Sequence, residues 1–318
     1  MVQDPNRPTL IVSCTDRKTL LADELQLRNF LHKSKPQDLK NIAEDWATKV
    51  TGILQSETIQ KVAARDLYCG EYWKIAKQAE KIATVLVASA GLGLQQMDSD
   101  CPGYGATFAS NSADSIPNPT GDFAVARSEW WECLRTNALG NPLDKVESKV
   151  VLVAVSSSYQ EALARDLKEL ATSGKRVIVM SGSEKISQFE DVKNIDHIKT
   201  GQWLRMLLKG STPCVGIRFA EYVIKNDKCG AFEQIISAYR ELEMQYKSSD
   251  SDQLPVFKRL RYKDDAEIRN WIVGELEISK NEKKATPAKS VLLRKFREGE
   301  NACEQKRFGD LYNQVVDS

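Results

Sequence analysis

Histidine is scarce in this 318-residue chain, which contains only His32 and His197. Its seven cysteines are scattered, odd in number and never spaced as Cys-x-x-Cys. Structural zinc sites use closely spaced cysteines and histidines, so the sequence gives little support for a zinc site, and we expect no metal and no other cofactor. Scattered cysteines are typical of reduced thiols in a cytoplasmic protein.

Long hydrophobic runs are also missing. No apolar stretch approaches the roughly 20 residues that a membrane-spanning helix needs, and residues 1–8 lack the charged and apolar regions of a signal peptide. We therefore expect a cytoplasmic protein without a membrane partner. An excess of one charge sign is lacking too, because the formal net charge is +1, so any nucleic-acid-binding surface must be local.

The sequence does contain four short apolar runs that end in small polar residues. The runs are residues 9–13, 84–89, 149–155 and 176–180. They end at, or lead into, Ser13, Ser89, Ser156 and Ser181. A helical stretch over residues 158–173 joins the last two runs, and this βαβ pattern predicts parallel strands. The carboxyl ends of parallel strands share one edge of a sheet, so the four serines are predicted to surround one pocket; ordinary strand-ending turns are the alternative.

The whole pattern predicts an α/β fold with a mostly parallel central sheet, helices on both faces and a helical C-terminal region. We expect residues 1–225 to form the α/β domain and residues 226–318 to form a helical, locally basic region. Residues 98–121 are rich in Gly, Pro, Ser, Asn and Asp, which predicts a long loop. A loop of this length inside a compact domain is usually functional or mobile.

The C-terminal end combines helical spacing with positive charge. Residues 288–297 and 302–315 are predicted to form two short helices around Gly299, similar to a helix-turn-helix. Residues 280–307 contain nine basic and four acidic side chains. A run of charge is often only a solvated helix face, but together with the helix pattern it favours contact with nucleic acid. The candidate phosphate-binding residues are Lys289, Arg294, Lys295, Arg297 and Arg307.

Four motifs in the first half of the chain occur together. They are Ser13-Cys14-x-x-Arg17-Lys18, Ala64-x-Asp66-Leu67-Tyr68-x-Gly70-x-x-Trp73, Ser89-Ala90-x-x-Gly93-Leu94, and Asp98 followed by Tyr104 and Phe108. As a set they resemble a YaaA-like group of bacterial domains, distantly related to uracil-DNA-glycosylase folds and to enzymes of 7-deazaguanine modification. The group includes phage-defence DNA glycosylases that excise bulky modified cytosines. The resemblance covers roughly residues 9–183.

This resemblance implies an α/β sandwich whose strand-end pocket accepts a nucleobase. It further implies a DNA glycosylase that leaves abasic sites in phage DNA carrying modified cytosines, with DNA as the partner. Cleavage of an N-glycosidic bond needs a carboxylate near the sugar and hydrogen-bond donors aimed at the departing base. Asp16 follows the first strand, where glycosylases of this broad fold keep their carboxylate, and Asp98 is the second candidate.

The remaining candidate residues would bind the substrate. Tyrosines and Phe108 could stack on a base flipped out of the duplex, Arg17 and Lys18 could bind flanking phosphates, and the glycine turn after Ser89 could let the backbone approach a ligand. The substrate-binding candidates are Ser13, Cys14, Arg17, Lys18, Tyr68, Tyr72, Ser89, Gly91, Gly93, Tyr104, Phe108, Ser156 and Ser181.

The chain also departs from uracil-DNA glycosylases. It lacks their Gly-Gln-Asp-Pro-Tyr-His segment, and no histidine comes directly after residues 181–183, where those enzymes place a histidine that stabilises the departing base. Two alternatives therefore stay open: a non-catalytic DNA-binding stress protein of the YaaA type, and a nucleoside-processing enzyme. The sequence leaves the oligomeric state open as well.

Overall fold

The computed structural model describes residues 7–20, 24–33, 38–110, 112–137, 143, 146–248, 261–282, 286–299 and 301–316. The chain divides into two compact units, residues 1–251 and residues 252–318. Among the described residues, the first unit contains the eight strands and ten helices given next, and the second contains three helices and two very short strands.

The strands of the first unit are β1 (Thr9–Ser13), β2 (Lys61–Ala63), β3 (Thr84–Ser89), β4 (Gly93–Gln96), β5 (Asp100–Pro102), β6 (Val150–Ala154), β7 (Arg176–Ser181) and β8 (Ile195–Lys199). Its helices are α1 (Leu27–Lys33), α2 (Leu39–Gln55), α3 (Ala64–Leu67), α4 (Glu71–Ala79), α5 (Phe123–Asn137), α6 (Ser157–Ala162), α7 (Ala164–Thr172), α8 (Gln202–Leu208), α9 (Val215–Lys225) and α10 (Phe232–Ser248). β2 and β5 form a separate antiparallel pair.

Six strands form the central sheet, in the order β4-β3-β1-β6-β7-β8. β4 runs antiparallel to β3, and every other neighbouring pair is parallel. The central strands β1, β3, β6 and β7 are buried along almost their whole length, which explains their continuous apolar sequences. The predicted α/β fold with a mostly parallel sheet is therefore confirmed.

The register places the predicted strand ends at one edge of the sheet. Ser13 pairs with Ala88 of β3, Val12 pairs with Ala154 of β6, and Val153 pairs with Val179 of β7. Because these four neighbouring strands are parallel, their carboxyl ends lie side by side. We call this the carboxyl edge of the sheet.

The sequence pattern did not predict two of the six strands in the central sheet. β4 has the sequence Gly-Leu-Gln-Gln and β8 has the sequence Ile-Asp-His-Ile-Lys, and they form the two outer strands of the sheet. An outer strand is less enclosed by neighbours, so its sequence has fewer consecutive apolar residues. The predicted helix over 158–173 is also interrupted, because α6 ends at Ala162 and α7 begins at Ala164.

The boundary between the units differs from the one expected after residue 225. Helix α10 belongs to the first unit, because Ile235, Ala238 and Leu242 are buried in the same core as the central sheet. Sequence periodicity had identified this helix but could not tell which core its apolar side chains join.

The second unit consists of β9 (Arg261–Tyr262), α11 (Asp265–Asn281), α12 (Lys289–Glu298), β10 (Asn301–Ala302) and α13 (Gln305–Val316). Asp264 and Glu267 form a capping box that starts α11. A separate hydrophobic core joins the three helices. Its buried members are Ile268, Ile272, Leu292, Leu293, Phe296, Cys303, Phe308 and Leu311. The α12–α13 pair corresponds to the predicted helix-turn-helix, with six residues between the helices.

Candidate functional site

A cavity of about 440 Å³ opens at the carboxyl edge. It lies where β1, β6 and β7 end, and the start of α9 with the preceding 3-10 turn at Thr212–Cys214 forms its other side. Its lining residues are Ser13, Cys14, Thr15, Tyr72, Ala154, Val155, Ser156, Ser157, Met180, Ser181, Gly182, Ser183, Thr200, Thr212, Pro213, Gly216 and Ile217. The cavity therefore brings together three of the four predicted strand-end serines.

The surface of this cavity is mostly apolar, its described lining residues carry no charge, and many of them have a hydroxyl group. Serine, threonine and tyrosine contribute nine of the lining residues, and none of the described residues that line it is Asp, Glu, Lys, Arg or His. A hydroxyl group can both donate and accept a hydrogen bond. The cavity is thus suited to an uncharged ligand that carries both donors and acceptors.

Tyr72 joins two of the strand ends. Its hydroxyl donates to the carbonyl of Ala154 and accepts a hydrogen bond from the backbone N–H of Ser13, at 3.2 Å. Burial raises the pKa of Tyr72 well above its usual range, so the hydroxyl stays protonated. The side chain lines the cavity, but both hydrogen bonds go to backbone groups of β1 and β6 and hold the edge together.

Cys14 lies between the cavity and a buried group of tyrosines. Its Sγ is 3.0 Å from the hydroxyl of Tyr159. Tyr68 and Tyr104 share a hydrogen bond of 2.9 Å, and Ser89 donates to Tyr104 at 2.7 Å. Burial raises the pKa of all three tyrosines, which keeps their hydroxyls protonated.

Ser89 is the strand-end serine that the cavity does not contain. It is fully buried, and its Oγ accepts hydrogen bonds from the backbone N–H groups of Gly91 and Leu92. The indoles of Trp46 and Trp130 cover the same turn by donating to its carbonyls at Gly91 and Ala90. Ser89 therefore stabilises the turn, rather than facing a ligand.

The glycines of this turn have structural roles as well. A Cβ at Gly91 would lie 2.4 Å from the ring of Tyr104, so only glycine fits between the turn and that ring. Gly93 has a φ of +73°, a backbone conformation that L side chains rarely adopt. The turn is buried, so its backbone is not exposed to a ligand in this conformation.

Three of the aromatic candidates for stacking lie in the core. Tyr104 is 2 % exposed and Phe108 is 1 % exposed, and Tyr68 is equally buried. The Phe108 ring packs edge-on against Tyr159, with ring centroids 4.9 Å apart. None of these rings offers a face to a ligand in this conformation, so their sequence-based assignment to base stacking is replaced by a packing role.

The loop after β1 carries three exposed or partly exposed charges, Asp16, Arg17 and Lys18. Thr15 fixes the loop by donating to the carbonyls of Arg17 and Cys69, at 3.1 and 3.0 Å. The Lys18 ammonium lies 4.2 Å from the ring centroid of Tyr104, a cation–π contact. Asp16 is exposed and directly follows Thr15, which lines the cavity.

Asp98, the second carboxylate candidate, is placed elsewhere. β4 starts near the carboxyl edge, with Gly93 opposite Ser89, and runs away from it until Gln96 pairs with Leu86. Asp98 follows that strand and is exposed. The structure therefore does not bring Asp98 to the cavity, because the antiparallel direction of β4 carries it away from the edge.

Arg28 and Asp114 form an ion pair near the Asp16 loop that the sequence did not reveal. Burial acts to raise the pKa of Asp114, but hydrogen bonds from the side chain and backbone of Arg28 outweigh it, so the pKa is lowered. The negative charges of Asp114 and, more weakly, Asp16 favour the charged form of Arg28. Residues 28 and 114 are far apart in sequence, and no local pattern could have paired them.

His197 is the second functional candidate that sequence reasoning missed. Its Nε2 lies 3.0 Å from Oγ of Ser181, which lines the cavity. The parallel pairing of β8 with β7, in which Val179 lies opposite His197, brings the imidazole to Ser181 across the sheet. The signal was hidden because β8 was not recognised as a strand.

Two of the predicted phosphate-binding residues of the second unit are held by acidic side chains. Arg307 contacts Asp265 at 2.6 Å, and this pairing raises the pKa of Arg307. Lys295 lies 2.5 Å from Glu275. These contacts join α11 to α12 and α13, so both residues already serve the packing of the unit.

The other three candidates on α12 differ in exposure. Arg297 donates to the backbone carbonyl of Cys303 at 2.8 Å. Arg294 is largely exposed, with a distant ion pair of 3.9 Å to Glu298. Lys289, at the start of the helix, is exposed too. Lys289 and Arg294 are therefore the best placed of the five to meet a phosphate.

No group of three or more His, Cys, Asp or Glu side chains in the described part of the chain could hold a metal ion. Of the helices that the structure describes, none is long and apolar enough to cross a membrane. No protein-family model matches the chain, and no curated protein matches it either.

Proposed function

We propose that this protein is a DNA N-glycosylase that excises a modified nucleobase, a modified cytosine of phage DNA, and that it acts in the cytoplasm in antiphage defence. The observation that carries the proposal is the uncharged cavity at the carboxyl edge, whose surface is mostly apolar and whose lining residues include several with hydroxyl groups. A flipped base would enter this cavity, while the sugar and the phosphates stay at its mouth.

The cavity's chemistry and size both fit this occupant. A nucleobase is uncharged and carries donors and acceptors, which hydroxyl groups can match in either sense. Ligand cavities in proteins measure roughly 300–1,000 Å³, so about 440 Å³ is enough for a base with a substituent. A phosphate group would find no charged partner among the described lining residues.

Asp16 supplies the carboxylate in this proposal. When the bond between the sugar carbon and the base nitrogen breaks, its electron pair stays with the base and positive charge develops on the sugar. A carboxylate next to the cavity-lining Thr15 would stabilise that charge and orient the water that adds to the sugar carbon, and the proton that this water loses would neutralise the departing base. Arg17 and Lys18, on the same loop, would contact the phosphates on either side.

The test measures abasic sites, detected as alkali-labile strand breaks in DNA. The protein should cut phage-derived DNA with modified cytosines and leave plain DNA intact. Asp16→Asn should lower the single-turnover rate by on the order of 100-fold or more, because it removes the negative charge opposite the developing cation. Asp98→Asn is the matched control and should keep the wild-type rate, since Asp98 follows β4 away from the carboxyl edge.

Two results would overturn the proposal. The first is a wild-type protein that releases no base from a broad panel of modified DNAs. The second is an Asp16→Asn variant as active as the wild type, which would remove this residue from the reaction and leave the cavity without its carboxylate.

The second candidate function is non-catalytic DNA binding of the YaaA type. It is favoured by one observation, namely that Lys289 and Arg294 are exposed on α12, where they could contact the phosphates of DNA. It predicts salt-dependent DNA binding without any released base. Mass spectrometry of bases released from hypermodified phage genomes separates the two functions.

A further inference from the structure

Ser181 and His197 form a hydrogen-bonded pair at the cavity that no step above uses. Ser181 ends β7, lines the cavity and is only 5 % exposed. Its Oγ lies 3.0 Å from Nε2 of His197 and 3.2 Å from Oγ of Ser183, which also lines the cavity. His197 contacts Ser181 and does not itself line the cavity.

The imidazole of His197 is expected to be neutral near pH 7. Burial lowers its pKa, and the positive charges of Lys185 and Lys199 act in the same direction against the opposing charge of Glu184. Glu184 is itself paired with Lys199, which limits its effect. A neutral imidazole carries one N–H, so one ring nitrogen donates and the other accepts.

The position of that single hydrogen decides what Ser181 can offer an occupant of the cavity. If Nε2 carries the hydrogen, it donates to Ser181 Oγ, and the hydroxyl keeps its own hydrogen for a further partner. If Nδ1 carries the hydrogen, Ser181 must donate to Nε2 and can then only accept from the occupant. The hydrogen bond between Ser183 and Ser181 is compatible with either arrangement, since the Ser183 hydroxyl can donate or accept.

We propose that His197 is a positioning residue that donates from Nε2 to Ser181, and that Ser181 thereby presents its hydroxyl hydrogen to an acceptor atom of the base in the cavity. This inference rests on the proposed glycosylase function. As the glycosidic bond breaks, the base gains negative charge, and a fixed donor becomes more favourable at that moment than in the bound substrate. In this arrangement Ser181 donates the hydrogen bond to the departing base, and His197 does not contact the base itself.

The activity test compares single-turnover base release by four variants with the wild type. Ser181→Ala should reduce the rate on the order of 100-fold, the usual cost of one such donor. His197→Leu should reduce it by a smaller factor, and His197→Gln, which keeps a donor near the position of Nε2, should recover most of the loss. The double variant Ser181→Ala/His197→Leu should be no slower than Ser181→Ala, because His197 acts only through Ser181.

Ser237→Ala is the matched control, because Ser237 lies exposed on α10 and contacts Glu241 instead of the cavity. It should leave the rate unchanged. Additive effects in the double variant, or a His197→Gln variant as slow as His197→Leu, would overturn the inference.

A second measurement needs no activity. The chain contains only two histidines, so His32→Gln leaves His197 as the single source of imidazole NMR signals. The ¹⁵N shifts should show the hydrogen on Nε2 at neutral pH and titration below 6.5. A hydrogen on Nδ1 contradicts the inference whether or not base is released, whereas a wild-type protein with an Nε2 hydrogen that releases no base contradicts only the proposed function.

Discussion

At the scale of single residues, the buried groups of this chain divide into those that serve the cavity and those that serve packing. Asp166 on α7 belongs to the second kind. It accepts a hydrogen bond from the Trp131 indole at 2.7 Å and lies 2.8 Å from Arg135, so it joins α7 to α5. Burial raises its pKa to about 6, because the nearby arginine only partly compensates the lost hydration.

This shift makes the stability of the protein depend on pH in a defined direction. Between the unfolded pKa of 3.8 and the folded value of about 6, the folded state binds the proton and the unfolded state does not. The free energy of unfolding therefore falls as pH rises through this range, by up to about 3 kcal/mol at ~1.4 kcal/mol per unit. Asp166→Asn should match the wild type near pH 4 and be more stable near pH 7, as measured by urea unfolding.

Glu169→Gln is the control for this prediction. Hydrogen bonds from Arg135 lower the pKa of Glu169, so its contribution is present above its unfolded pKa and is lost as pH falls. Its removal should therefore cost stability near pH 7, the opposite sign to Asp166→Asn. If the Asp166→Asn variant lost as much stability as the wild type between pH 4 and pH 7, the raised pKa of Asp166 would not be the cause of that loss.

At the scale of elements, continuous apolar runs were enough to predict β1, β3, β6 and β7 and the edge where they end. β8 was missed because two of its five residues are charged and one is His197. Because β8 was not predicted, His197 could not be placed beside Ser181 from the sequence either. Tyr104 and Phe108 show the converse problem: a loop composition says nothing about which ring will be buried, because long-range packing decides that.

The joining of β1 to β6 through Tyr72 gives a test at this scale. Tyr72→Phe removes the donor to the Ala154 carbonyl and the acceptor for the Ser13 N–H. Because the ring stays and two part-buried backbone groups lose a partner, we expect a loss of about 1–3 kcal/mol in the free energy of unfolding. Base release should fall as well, since both strand ends line the cavity.

Tyr239→Phe serves as its control, because the Tyr239 hydroxyl donates to the carbonyl of Lys199 in an exposed setting. Its loss should cost clearly less in the same urea titration. Equal losses for the two variants would mean that the hydroxyl of Tyr72 does not stabilise the carboxyl edge.

At the scale of the whole molecule, the two units have separate cores, so each can be weakened on its own. The small second unit depends on a few large side chains. Phe296 is fully buried, and its ring lies 5.0 Å from that of Trp271 and 5.6 Å from that of Phe308. In a chain with a net charge of +1, any attraction to DNA must come from local groups such as Lys289 and Arg294.

Phe296→Ala in the full chain tests whether this unit delivers DNA. A Phe→Ala change in a core costs about 3–5 kcal/mol, which is comparable with the whole stability of a small domain, so the second unit should unfold. DNA affinity should then fall, and the slope of log affinity against log salt should decrease by about 0.9 for each lost phosphate contact.

Val291→Ala, on the exposed surface of α12, is the control and should change neither the DNA affinity nor this slope. At saturating DNA the Phe296→Ala variant should still release base at the wild-type rate, because the cavity belongs to the first unit; unchanged affinity would show that the basic helices take no part in binding.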